Sequence, residues 1–311
     1  MKKPLLIAAI LALQCLQSFK NELTAQQEVT FSHYSFNTMI VNPAFAGNAD
    51  VLSVNAINRY RWLSFPGAPR VQTLTIHSPL RNESLAAGIS VYNDSKGPTK
   101  TTDFQVNLSY RLKLGEGRIG FGLKGGMRFM SNFLNSQVLV IDESDEVFQT
   151  DVVSELFPNV GFGIFYNSEK FYLGASVPRF LRSSNSNFSF PGEERHFFFT
   201  AGGEFDLNKT GSVKLKPSLL YKMTESTLYQ FDITPLISFN DDFWFGPMYR
   251  TKSDLGILVG FQASTQCSIG YAFDWSLANK TGVYNNGSHE LMLKYDFIYD
   301  NKLGIQSPRH F

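Results

Sequence analysis

Along most of the chain apolar and polar residues alternate with a period of two, the spacing that puts successive side chains on opposite faces of a β-strand. In 104–114, one face carries Phe104, Val106, Leu108, Tyr110, Leu112 and Leu114, and the other Gln105, Asn107, Ser109, Arg111 and Lys113. The next segment sets Ile119, Phe121, Leu123, Met127 and Phe129 against Gly120, Gly122, Lys124, Gly126 and Arg128. Further on, Leu215, Pro217, Leu219 and Tyr221 oppose Lys214, Lys216, Ser218 and Lys222. Near the end, Ile269, Tyr271, Phe273 and Trp275 oppose Gly270, Ala272 and Asp274, while Leu291, Leu293, Tyr295 and Phe297 oppose Glu290, Met292, Lys294 and Asp296. Weaker versions lie near 51–58, 71–78, 85–92, 159–166, 171–177, 196–205, 228–238, 243–249 and 255–264. The pattern predicts about 14 strands, an even number as in single-chain bacterial barrels.

The connections sort by length. Short turns are predicted at 80–83, 115–117, 167–170, 207–211, 240–241 and 265–266, all at one end. Long connections at 59–70, 93–101, 131–158, 179–195 and 276–288 fall at the other, with 223–227 and 250–254 as short exceptions. An aqueous sandwich also alternates, but it has no reason to gather its long loops at one end. The fold expected for 51–299 is therefore an all-β, transmembrane antiparallel β-barrel, oily outside and wet inside, with periplasmic short turns.

Composition agrees with a barrel and not with helical spans. Charged residues are 18%, aromatic residues 14%, and the chain holds 29 Phe and 13 Tyr. After residue 20 it has no apolar run of the ~20 residues that a membrane helix needs. The net charge of +1 argues against a nucleic-acid partner.

Residues 1–25 read as a cleaved signal peptide: Lys2 and Lys3, an apolar run from Leu5 to Leu13, then Leu23-Thr24-Ala25 before Gln26. Cys15 does not fit a lipoprotein site, because Gln14 stands where a small residue is needed. The other cysteine, Cys267, leaves the mature chain without an internal disulfide. Residues 26–50 lack strong alternation and either thread the lumen or lie in the periplasm. Residues 300–311 are expected to form a tail, since Pro308 cannot donate in a strand ladder.

Catalytic and metal chemistry find little support. His77 and Ser78 are neighbours on a strand and point to opposite faces, poor geometry for a base and a nucleophile. The glycine-rich Gly122-Leu123-Lys124-Gly125-Gly126 lies inside a strand and precedes no helix, so it lacks a phosphate cradle. No Cys and His spacing suits a metal, and the acidic run Asp142 to Glu146 reads as a solvated loop tip. The expectation is a non-enzymatic protein without cofactor or metal.

Two sets of side chains carry the functional candidates. Lys124, Arg128, Lys214 and Lys216 point to the lumen, as selectivity charges of a channel or as partners of Glu204, Asp206, Glu290 and Asp296. Trp62 and Phe65, with Arg61, Pro66 and Pro69 around them, place apolar bulk in the first outer loop, as a partner surface or as a packed loop cluster. Tyr110, Tyr166, Tyr172, Tyr221, Trp244, Trp275 and Tyr295 read as an interfacial girdle.

The run Asn42-Pro43-Ala44-Phe45-Ala46-Gly47, then Arg59, Trp62, Phe65, Gly67-Ala68-Pro69, Gln72-Thr73-Leu74 and His77-Ser78-Pro79-Leu80, resembles the amino-terminal signature of the PorP/SprF family of type IX secretion proteins. The likeness continues through Gly88-Ile89-Ser90, Asn93-Asp94 and Gly97-Pro98-Thr99 to Ser307-Pro308-Arg309. The chain departs from the family pattern at Arg61, where members usually carry Gln, and at His310, where they carry an aromatic. The resemblance implies a Bacteroidota outer-membrane barrel that supports secretion, gliding motility or surface anchoring of an adhesin-like cargo with a carboxy-terminal sorting domain. It further implies cargo contact at the outer rim, near Arg61, Trp62, Phe65, Pro66, Pro69, Asn93 and Asp94. Other secretion components would be met at the periplasmic end. The rival expectation is a diffusion channel or transporter for small or hydrophobic solutes.

Overall fold

The computed structural model describes residues 30–81, 83–133, 152–181, 194–225, 229–251, 253–277 and 286–298. The signal peptide, the acidic run 142–146 and the tail 300–311 lie outside the described residues. Among those described, fourteen antiparallel strands follow one another around a closed barrel. They are β1 (Leu52–Tyr60), β2 (Arg70–Pro79), β3 (Leu85–Lys96), β4 (Thr99–Leu114), β5 (Gly117–Asn132), β6 (Val152–Asn167) and β7 (Phe171–Val177). Then come β8 (His196–Gly203, resumed at Phe205–Asp206), β9 (Val213–Thr224), β10 (Tyr229–Phe239), β11 (Phe243–Arg250), β12 (Asp254–Gln262), β13 (Cys267–Ser276) and β14 (Ser288–Phe297). Gly202 opposes Ser218 and Phe205 opposes Leu215, so register runs through the interruption at Glu204 unshifted. Closure is made by β1 on β14, from Leu52 opposite Phe297 to Tyr60 opposite His289. A closed barrel leaves no strand edge unpaired, which a bilayer core demands.

Alternation sets which face meets lipid. On β4, Phe104, Val106, Leu108, Tyr110 and Leu112 are exposed, while Asp103, Gln105, Asn107, Ser109 and Arg111 between them are buried in the lumen. Two expected long connections are shorter than the hydropathy implied. The connection at 93–101 is a tight hairpin turning at Gly97 (φ 55°), with Lys96 opposite Thr99. The one at 131–158 loses its ends to β5, which runs to Asn132, and β6, which starts at Val152. Backbone pairing continues beyond the bilayer, where neither face needs to be apolar, so hydropathy falls silent before the strand ends. Arg59, expected to open the first outer loop, sits inside β1 with its side chain buried.

The lumen is filled. Residues 30–50 thread it from the long-loop end, where Ser32 and His33 meet Glu290 of β14, to the short-turn end, where Asp50 meets Arg111 and Arg118. Two 3-10 turns, Thr38–Ile40 and Pro43–Phe45, shape this plug. Three clusters form around it: Phe31 with Ile57, Met248 and Met292; Met39, Ala44 and Phe45 with Phe165 and Tyr172; and Tyr34 and Val41 with Phe198 and Leu220.

Candidate functional site

Three regions combine residues that the sequence singled out. The first is the rim loop between β1 and β2. The hydrogen bond from Arg61 N to Pro69 O (2.9 Å) closes it, and turns from Trp62 O to Phe65 N and from Phe65 O to Ala68 N (both 3.0 Å) shape its interior. Trp62 and Ser64 hold positive φ (51° and 80°), a region that non-glycine residues occupy only when surroundings enforce it. The enforcing contacts come from the segment before β14: Leu63 N donates to Gly287 O, Asn286 N to Leu63 O, and Asn286 Nδ2 to Ser64 Oγ. A further bond, from Gly97 N to Gly67 O (2.9 Å), ties the loop to the β3–β4 hairpin.

The frame is thus built like a packed cluster, yet it leaves apolar bulk outside. Phe65 is 52% exposed and Leu63 43%, with Pro66 also exposed and Pro69 half-buried. Arg61 lies 5.2 Å from the Trp62 ring centroid, within cation–π range. Desolvation and the neighbouring Arg59 push the Arg61 guanidinium down, to about 10, so it remains charged at neutral pH. Asn93 and Asp94, neighbours on β3, point to opposite faces: Asn93 is exposed, whereas Asp94 is buried and paired with Lys96 (2.6 Å).

The second region is the attachment of the plug to the wall. At the long-loop end Glu290 accepts from Ser32 N (2.9 Å), His33 N (2.8 Å) and Arg59 Nη1 (2.8 Å), and its Oε1 lies 2.8 Å from His33 Nδ1. Arg59 also pairs with Asp274, which accepts from Ser32 Oγ (2.8 Å). Beside it Arg250 pairs with Asp232 (2.9 Å) and Asp254 (3.1 Å). Midway, Asn42 caps the second 3-10 turn by accepting from Ala44 N (3.0 Å), and its Nδ2 donates to Ile164 O of β6 (2.9 Å). Phe45 meets His77 and Phe165 edge-on at 5.7 and 5.3 Å. Gly47 N donates to His77 Nδ1 (3.2 Å), which occupies this imidazole in positioning the plug.

The inward glycines of β5 and β6 mark the path of that turn. A Cβ on Gly122 would stand 2.1 Å from Ala44 N, and one on Gly163 2.1 Å from Asn42 Oδ1. The plug occupies the space that a side chain at either glycine would need. The Asn42–Gly47 run and the inward glycines were both visible in the sequence, but not that they meet.

The third region holds the lumen charges. Lys124 donates to Ile40 O of the plug (2.8 Å). Arg128 pairs with Asp103 (2.8 Å) and donates to Tyr92 Oη (2.7 Å). Lys214 and Lys216 each bridge Glu204 (2.8 and 3.1 Å) and Asp241 (2.7 and 3.0 Å). Burial works to raise the Asp241 pKa, but the Lys214 hydrogen bond and the Lys216 charge outweigh it and hold this turn carboxyl below the usual range. Of the four expected acidic partners, only Glu204 fills that role; Glu290 serves Arg59, Asp296 pairs with Lys294, and Asp206 is exposed.

The girdle reading needs one correction. Tyr110, Trp275 and Tyr295 do face outward, but Tyr172 and Trp244 are buried inside, Trp244 stacked on Phe36 of the plug at 5.2 Å. On β11 both faces are aromatic or aliphatic at that point, with Phe243 and Phe245 outside and Trp244 and Met248 inside, so residue type could not reveal parity. Among the described residues no group of three or more His, Cys, Asp or Glu side chains is arranged to hold a metal.

Solved structures to which this chain is similar are outer-membrane barrels. Omp33 of Acinetobacter baumannii has 8% identity over 79% of this chain and 98% of its own, with a TM-score of 0.46. A bacterial polysaccharide outer membrane secretin has 11% identity over 80% and 99%, with a TM-score of 0.44. A Pseudomonas aeruginosa FadL homologue has 12% identity over 83% and 93%, with a TM-score of 0.43. No significantly similar relative is found among curated proteins. The model of the type IX secretion system membrane proteins PorP/SprF matches residues 23–295, taking in the plug, the rim loop and nearly all of the barrel, and the chain belongs to that family.

Proposed function

We propose that this chain is a non-enzymatic outer-membrane barrel of the type IX secretion system that supports secretion or surface anchoring of one dedicated exported protein. The observation that carries this reading is a lumen filled by the chain's own residues 30–50 beneath a rim that exposes Leu63 and Phe65. A filled bore does not suit diffusion of solutes, whereas a hydrogen-bonded loop presenting apolar side chains suits a docked protein partner. The occupant we envisage is a cargo protein with a carboxy-terminal sorting domain, held at the long-loop end. Other secretion components approach the short-turn end from the periplasm. Lys124, Arg128, Lys214 and Lys216 then serve the interior packing rather than solute selection, since each is paired.

The test combines deletion, complementation and conductance. Loss of the gene should remove one sorting-domain protein from the cell surface. Complementation with Leu63→Asp and Phe65→Asp together should restore the barrel to wild-type levels but not the surface protein. Steady conductance of the purified wild-type barrel in planar bilayers, with surface proteins unchanged in the deletion strain, would favour the channel reading and refute ours.

A further inference from the structure

On the outer face of β2 to β5, strand register aligns side chains into rows. Nearest the long-loop end, Arg70 opposes Ser95, Ser95 opposes Lys100, and Lys100 opposes Ser131. Two residues closer to the middle of the strands, the row is Gln72, Asn93, Thr102 and Phe129; two further on it is Leu74, Val91, Phe104 and Met127. Each step is about 7 Å along a strand. Leu74, Phe104 and Met127 are exposed, so these rows face away from the lumen. The lipid face thus passes from cations and hydroxyls, through neutral amides and a hydroxyl, to hydrocarbon.

The cations at its edge are held by rings and not by acids. Arg70 lies 4.7 Å from the Tyr60 ring centroid and Lys100 5.4 Å from that of Phe133, and neither has an ion pair among the described residues. Asp94 and Asp103, the carboxylates nearest in sequence, are buried on the lumen side. Ser131 Oγ accepts from Ser154 N (3.1 Å), which leaves its hydroxyl hydrogen to donate outward. On the far side of the barrel the same boundary is aromatic: Phe199, Tyr221 and Phe231 stack in series at 5.9 and 4.5 Å. There Arg195 is neutralised by Glu225 (3.0 Å).

We propose that the outer face of β2 to β5 binds a phosphorylated glycolipid of the surrounding leaflet. Arg70 and Lys100, two strands and so about 10 Å apart at the backbone, close on its phosphate from either side. Long cationic side chains at a lipid boundary extend toward the polar layer, where charge-assisted hydrogen bonds to phosphate are available. Ser95 and Ser131 donate to the same oxygens. Gln72, Asn93 and Thr102 meet the sugar and the amide links of its chains, which lie over Leu74, Val91 and Phe104. A neutral polar row one step deep suits a sugar ring better than the two esters of a glycerol lipid. This inference rests on the barrel standing in a membrane with its long loops outermost, and not on the secretion reading.

The test is native mass spectrometry of the full chain, purified in detergent and incubated with monophosphoryl lipid A. The lipid should remain bound, whereas its dephosphorylated form and phosphatidylglycerol should be retained about tenfold less, the effect of losing one hydrogen bond to a charged group. Arg70→Gln with Lys100→Gln should lower lipid A retention by about tenfold or more. Lys170→Gln with Lys209→Gln, an equal charge change at the short-turn end, should leave it unchanged. Equal retention of the dephosphorylated lipid or of phosphatidylglycerol overturns the proposal, as does an equal effect of the two double variants. Displacement of lipid A by inorganic phosphate would mark a site for a soluble anion and overturn it as well. Should the Arg70 and Lys100 variant fail to assemble, the wild-type comparison of phosphorylated and dephosphorylated lipid decides alone.

Discussion

Glu290→Ala tests whether the plug is held by its buried carboxylate. The side chain is 1% exposed and receives two backbone N–H groups, the His33 ring and Arg59. Breaking a buried ion pair by removing one partner costs about 3–5 kcal/mol, and each buried donor left unmade about 1–3 kcal/mol. These terms overlap and do not add, and Arg59 keeps Asp274, so we expect a loss near the middle of the ion-pair range, about 4 kcal/mol. Arg59→Ala should cost more. It leaves Glu290 and Asp274 buried without the guanidinium between them, two like charges in place of a satisfied triad. The measurement is urea-driven unfolding in lipid vesicles, with the stacking of Trp244 on Phe36 as fluorescence reporter of plug release. A loss below about 1 kcal/mol for Glu290→Ala, or an equal loss for both variants, would refute the reasoning, since a hydrated or undocked site behaves that way.

Three further outcomes are expected. Gly122→Val should displace the Pro43–Phe45 turn, because even a Cβ there would stand 2.1 Å from Ala44 N; protease cleavage within the plug should rise sharply while the wall stays intact. Deletion of residues 31–49 should convert a silent barrel into one with steady conductance in planar bilayers, and continued silence would show that something else fills the bore. Asp241 should keep its charge below the ordinary carboxylate value. A carboxyl held low contributes stability that is present above its unfolded pKa of about 3.9 and lost as pH falls through the lower folded value. Infrared titration with labelled aspartate, comparing wild type and Lys214→Met, should show the midpoint move up in the variant.

The barrel was legible because its cause is local. Each strand must show lipid one face, so Phe104 to Leu114 alternates whatever the rest of the molecule does, and the turns at Gly115 and Asn240 interrupt that period where the chain reverses. Hydropathy also oriented Lys124, Arg128, Lys214 and Lys216 inward, since a bilayer does not tolerate them outside. It erred where both faces were apolar, as at Trp244, and where strands rose past the bilayer, as at 93–101 and 152–158.

The plug was not legible, because its signals are distributed along the chain. Asn42 to Gly47 has no period of its own, and the features that receive it are glycines at 122 and 163, an imidazole at 77 and a carboxylate at 290, separated from it by 30 residues or more in sequence. Each of these has an ordinary reading alone: a close-packed glycine, a strand-end histidine, a lumen acid. The sequence by itself thus determined a closed, aromatic-faced barrel, its family and the sorting of its loops, through constraints that act on single strands and single turns. Whether the lumen would be open or filled, which carboxylate would meet Arg59, and how the Trp62 loop would be held were decided only when strands distant in sequence closed into one wall, since desolvation and ion pairing depend on neighbours that closure alone supplies.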